Sequence, residues 1–165
     1  MPENWDRLAD EIQRLADIEA IKILKAKFVR LADAGEWDAW GKEVLAEDCF
    51  VHNDAGPLEG RERIIEKTSK GMANVMAIHY LHSPEITILG PDTASAIWPV
   101  NDYITGVFNG TSTVIRGYGH YHDDYVRTVD GWRLKRCRLV RQRVDTLTGA
   151  AALASVGAAG LRSEG

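Results

Sequence analysis

The chain has 165 residues, of which 45% are hydrophobic and 27% charged: the size of one domain and the balance of an ordinary globular protein. A formal net charge of −4 argues against a nucleic-acid partner, and no apolar run approaches the ~20 residues of a membrane span. The acidic opening MPENWDRLADE lacks the apolar core of a signal peptide. Together with Cys49 and Cys137, which have no motif spacing, this predicts free thiols in a reducing, cytoplasmic setting.

The first predicted element is a long amphipathic helix from Met1 to about Ala34, in one or two segments. Leu8, Ile12, Leu15, Leu24, Phe28 and Leu31 recur at three-and-four spacing and read as one buried face. Gly35 follows as the predicted C-cap, since glycine takes a left-handed conformation without cost. Asp33 falls in the last turn, where a carboxylate opposes the helix dipole. Such a residue is either a solvated turn aspartate or one held by a buried partner, of which a histidine is the chemically interesting case.

A short second helix is predicted over Glu36–Leu45, a strand over Cys49–Asn53, a Gly/Pro loop over Asp54–Gly60 and a third helix over Arg61–Met72. From Ala77 the apolar period becomes two. Ala77–Leu89 reads as a strand bent at Pro84, and Thr93–Val107 as a strand whose Pro99 marks an edge or a bulge. Asn109-Gly110 is the strongest hairpin signal in the chain. Thr111–Thr128 and Trp132–Val144 follow as strands around the turn at Val129-Asp130-Gly131. The tail from Thr146, rich in Ala, Gly and Ser, reads as disordered or lightly docked. The prediction is thus one domain over residues 1–145 and a tail over 146–165. Its class is α+β, three helices followed by a meander of long antiparallel strands. A curved sheet wrapped on a long helix makes a cone, and the inside of a cone suits an apolar ligand pocket.

All five histidines fall on predicted strands. In AIHYLHSPEITIL, His79 shares a face with Leu81 and His82 takes the other. In RGYGHYHDDY, Arg116, Tyr118, His120 and His122 share one face by alternation. On the last strand Cys137, Leu139 and Arg141 share a face opposite Arg136 and Arg138. An arginine among apolar face-mates needs an anion, which a carboxylate or a bound ligand could supply.

The helix IEAIKILKAKFVRLADAGEWDAW and the strand AIHYLHSPEITI resemble the SnoaL-like branch of the NTF2-like superfamily, nearest to the bile-acid dehydratases and more distantly to scytalone dehydratase and hexachlorocyclohexane dehydrochlorinase. The resemblance spans roughly Asp17 to Asp145. It implies an NTF2-like cone with three N-terminal helices on a curved antiparallel or mixed sheet, and a homo-oligomer, a trimer ahead of a dimer. It places the catalytic aspartate on Asp33, the catalytic histidine on His79 and a substrate-facing arginine on Arg141. Two positions depart from the pattern. Phe28 stands where the dehydratases carry a tyrosine and the dehydrochlorinase a lysine, and Arg116 stands where the bile-acid enzymes carry an asparagine.

A histidine beside an aspartate can take a proton from carbon next to a carbonyl and return it to a departing hydroxyl. The expectation is therefore a cofactor-independent dehydratase, without metal, acting on a hydrophobic cyclic substrate of steroid-like or polyketide-like kind. Arg116 or Arg141 would stabilise an enolate or hold a carboxylate, Tyr118 and His120 would donate hydrogen bonds, and Phe28 and Trp98 would line the pocket. Other readings are an isomerase, cyclase or hydrolase on the same fold, a divalent metal held by His120-x-His122 with Asp123 or Asp124, and a non-catalytic binding module.

Overall fold

A computed structural model describes residues 2–156, with side chains from Asn4 onward. Helix α1 runs unbroken over Pro2–Ala34. Its second half buries Ile21, Leu24, Phe28 and Leu31. Leu8, Ile12 and Leu15 do not continue that face: they are exposed, as is Trp5 at 72%. The cause is a phase slip, because the nine residues from Leu15 to Leu24 span about two and a half turns, which puts the two apolar sets on opposite sides. The first half of α1 therefore projects with its own apolar stripe.

The end of α1 is sharply defined. Gly35 takes φ +71°, its N–H donates to Ala32 O at 3.1 Å, and the Glu36 N–H donates to Leu31 O at 2.9 Å. This pair of bonds is a Schellman cap, and it turns the chain directly into α2 (Trp37–Val44). Then come β1 (Leu45–Asn53), β2 (Gly56–Glu59), α3 (Arg61–Gly71), β3 (Val75–Leu81), β4 (Glu85–Gly90), β5 (Thr93–Phe108), β6 (Thr111–Thr128), β7 (Gly131–Thr148) and α4 (Ala150–Val156).

Three expectations change. The Asp54–Gly60 loop contains β2, a four-residue edge strand where Pro57 is tolerated. The strand expected over Ala77–Leu89 is two strands, because the chain leaves the ladder around Pro84. The tail continues β7 to Thr148 and then forms α4, which buries Ala152; the tail residues 157–165 lie outside the described residues.

The strands form one open, seven-stranded sheet in the order β2-β1-β7-β6-β5-β3, with β4 also beside β5. Only β1 and β7 pair in parallel. Pro99 lies inside this sheet, at the point where the partner of β5 changes from β4 to β3. Its carbonyl accepts the His82 N–H at 3.0 Å. A residue's N–H and C=O point to the same side of a strand, so the donor that proline lacks faces the break and no ladder bond is lost.

Helices and core lie on one face of the sheet. Ala94, Ala96, Trp98, Val100 and Asp102 of β5 are buried there, with Gly117, Gly119, Tyr121, Asp123 and Tyr125 of β6 beside them. Two polar anchors join α1 to this face. Asp17 accepts from Trp132 Nε1 at 3.1 Å and pairs with Arg127 at 2.7 Å. Lys25 meets Asp123 at 2.7 Å, with both side chains fully buried.

Candidate active site

The Schellman cap places Asp33 one residue before the helix gives out, and the sheet brings β3 beneath it. Both oxygens of its carboxylate are engaged by His79. The backbone N–H of His79 donates to Oδ2 at 2.9 Å, and Nδ1 lies 2.5 Å from Oδ1. A carboxylate only accepts, so Nδ1 carries the hydrogen, and in the neutral imidazole Nε2 presents its lone pair. No basic residue lies in the last turn of α1; the His79 N–H and ring supply the positive partners that a carboxylate at the negative end of the dipole needs. The side chains remain 17% (His79) and 23% (Asp33) exposed, so the pair is partly open to solvent.

Directly across from His79 in the β3–β5 ladder stands Asp102, buried at 3% exposure. It holds Arg141, whose Nη1 donates to Asp102 Oδ2 at 2.6 Å while Nη2 and Nε donate to Asp54 Oδ2 at 2.7 and 3.0 Å. Burial acts against the charge on Arg141, but the hydrogen bonds to Asp54 and Asp102 outweigh it and raise its pKa further. Gly117 makes this arrangement fit, since a Cβ there would collide with the Arg141 guanidinium and the Asp102 carboxylate. Three of the five N–H groups of Arg141 are spent, and the trio of Asp54, Asp102 and Arg141 carries one net negative charge. A second anion is electrostatically disfavoured there, so Arg141 is poorly placed to hold a substrate carboxylate.

Aromatic side chains occupy the space beside this polar end. Phe28, one and a half turns before Asp33, packs on Trp40 at 5.4 Å and edge-on to Tyr121 at 5.9 Å between ring centroids. The Lys25 ammonium lies 4.2 Å from the Phe28 ring centre and 3.9 Å from that of Tyr121.

The remaining expected site residues lie elsewhere. Arg116, Tyr118 and His120 are on the outer face of β6, turned away from the helices and the dyad, because the buried positions are the odd-numbered ones from Gly117 to Tyr125. Trp98 is on the inner face but in the core, 4% exposed, its indole N–H donated to Tyr125 Oη at 3.0 Å. His120 and His122 share the outer face, whereas Asp123 points inward to Lys25. Among the described residues no group of three or more His, Cys, Asp or Glu side chains could hold a metal ion. A depression of about 430 Å³ on the outer face, lined by His122, Asp124, Arg136 and Arg138, opens away from the dyad.

Asp102, Lys25 and Tyr121 had no part in the sequence reading, and Asp123 entered it only as a candidate metal ligand. The signal was present for two of them. Asp102 is in phase with Trp98 and Val100, and Tyr121 is in phase with Gly117, Gly119 and Tyr125. The histidines at 120 and 122 drew attention to the opposite phase.

Among similar proteins, the Probable cyclase FGR4 of Gibberella zeae is 28% identical over 133 residues, covering 71% of this chain and 85% of the relative. The Kfla4162 protein from Kribbella flavida superimposes with a TM-score of 0.72 at 19% identity, over 86% of this chain and 99% of that one. A hexachlorocyclohexane dehydrochlorinase, LinA Type2, gives a TM-score of 0.71 at 18% identity, over 83% and 93%. The SnoaL-like domain family matches residues 13–138, so the chain belongs to that family, within the NTF2-like superfamily.

Proposed function

We propose that this chain is a lyase, a dehydratase that removes water from an uncharged, hydrophobic cyclic substrate by proton transfer through His79. The observation that carries this reading is the two-point grip of Asp33 on His79, which leaves Nε2 free on a partly open imidazole. Nε2 takes the proton from carbon beside a carbonyl, and the electron pair moves onto the carbonyl oxygen. The imidazolium that forms sits against a carboxylate and a helix C-terminus, both of which favour the cation. It then gives its proton to the β-hydroxyl as the enolate collapses and the carbon–oxygen bond breaks, so that water leaves and a conjugated double bond remains. No redox equivalent is needed. The net negative charge of the Asp54, Asp102 and Arg141 trio favours an uncharged substrate over a carboxylate.

A second reading comes from the relative named as a probable cyclase. The same deprotonation yields an enolate that can attack a second carbonyl within the substrate and close a ring. Mass spectrometry of the product of a hydroxylated cyclic diketone separates the two: loss of one water supports dehydration, and unchanged mass supports cyclisation or isomerisation. His79→Ala should lower turnover on the order of 10²–10⁴-fold, the usual share of one acid–base group, with its circular dichroism unaltered.

A further inference from the structure

The dyad supplies a base but no donor for the oxygen on which charge develops, and Phe28, packed against Trp40 and Tyr121, can donate none. The geometry points to Tyr121 as that donor: a phenol offered from the sheet in place of one from the helix. This rests on the enolate-forming reading above.

Three observations converge on it. The Tyr121 ring stands edge-on to Phe28 at 5.9 Å, on the inner face that also carries Asp102, the ladder partner of His79. The residue is 6% exposed, yet among the described residues its hydroxyl has no hydrogen-bond partner. Trp40 Nε1, in the same aromatic cluster, is also buried without a partner. A buried phenol usually finds a partner; here the partner left to find is a ligand.

The third observation is the support behind the ring. Lys25 presses its ammonium on the Tyr121 face at 3.9 Å, and Asp123, two residues along the same strand, fixes Lys25 at 2.7 Å. Lys25 and Asp123 are thus positioning residues for the ring. Burial keeps the phenol protonated far above neutral pH, with the nearby carboxylates of Asp102 and Asp123 acting in the same direction, so it remains a donor throughout. In the reaction the Tyr121 O–H donates to the carbonyl oxygen and the bond shortens as that oxygen becomes an enolate, while the proton stays on the phenol.

Tyr121→Phe removes the hydroxyl and preserves the ring. We expect kcat to fall on the order of 10²–10³-fold, the usual cost of one such donor, with a smaller change in KM and an unaltered melting temperature. Adding Phe28→Tyr to that variant returns a phenol from the helix side and should recover about tenfold of the loss. A Tyr121→Phe enzyme with wild-type kcat would overturn the proposal. Binding of 2-naphthol, whose oxygen resembles an enolate, gives a readout independent of turnover. Affinity should drop about tenfold in Tyr121→Phe, as for loss of one buried hydrogen bond, and equal affinity would again overturn it. If the wild type eliminates water from nothing but naphthol still discriminates, the lyase reading fails and the donor assignment stands.

Discussion

Helix α1 carries two acid–base pairs eight residues apart, and they differ in the property that separates structure from chemistry. Lys25 and Asp123 are both fully buried at 2.7 Å. Two aromatic rings flank the ammonium, and Tyr125 Oη donates to Asp123 at 2.7 Å. Nothing from outside can reach this pair. Asp33 and His79 lie 2.5 Å apart yet keep about a fifth of their surface, and His79 Nε2 stays unpartnered among the described residues. Closeness of an acid and a base is common to both pairs; residual access and an unspent lone pair belong to the second alone. The sealed pair still serves the open one, because it holds α1 against β6 and so fixes where Asp33 emerges.

Either pair can be disrupted by a single substitution. Next to loss of His79 itself, Asp33→Asn should cost the most: the amide cannot stabilise the imidazolium or enforce its tautomer. Steady-state kinetics should show a loss approaching about 10⁴-fold in kcat, as when an aspartate behind a catalytic histidine becomes an amide, with thermal stability changed by less than about 1 kcal/mol. Lys25→Met should do the opposite to stability. Removing one partner of a buried pair leaves an uncompensated charge and costs about 3–5 kcal/mol. Denaturant unfolding of Lys25→Met/Asp123→Asn should recover most of that loss, since no lone charge remains; a double variant as unstable as the single would mean the pair is more than a matched charge.

The smallest effect is expected at Asp17. Burial alone would raise its pKa, but hydrogen bonds from Arg127, Trp132 and Gln13 outweigh it and hold the carboxyl below its ordinary range. A depressed carboxyl contributes stability above its unfolded pKa, and that contribution disappears as pH falls through the folded value. Asp17→Asn should therefore cost about 1–2 kcal/mol at pH 7, and the gap to wild type should narrow below roughly pH 4. A gap that stays constant through acid would contradict this.

Much of this was legible in the sequence, for definable reasons. The Gly35 cap fixed the end of α1, the NTF2-like resemblance named Asp33 and His79, and strict alternation placed Arg141 beside Cys137 and Leu139. What failed were readings that needed absolute phase. Leu8, Ile12 and Leu15 obey the same spacing as Leu24, Phe28 and Leu31, but spacing within each set is silent about the half-turn between them. On β6 alternation groups residues correctly without saying which group faces the helices. Histidines argued for the even positions, yet the sheet buries the odd ones and with them Tyr121 and Asp123. A fully buried lysine contradicts composition rules, so Lys25 could be read only once Asp123 stood opposite it.

In the proposed reaction His79, held by Asp33, moves a proton to and from carbon. Deuterium exchange in D₂O measures this without requiring the full reaction. With a hydrophobic cyclic ketone, followed by mass spectrometry, the wild type should incorporate deuterium at the carbon beside the carbonyl and His79→Ala should not exceed the background rate. Exchange by His79→Ala at the wild-type rate would contradict the account.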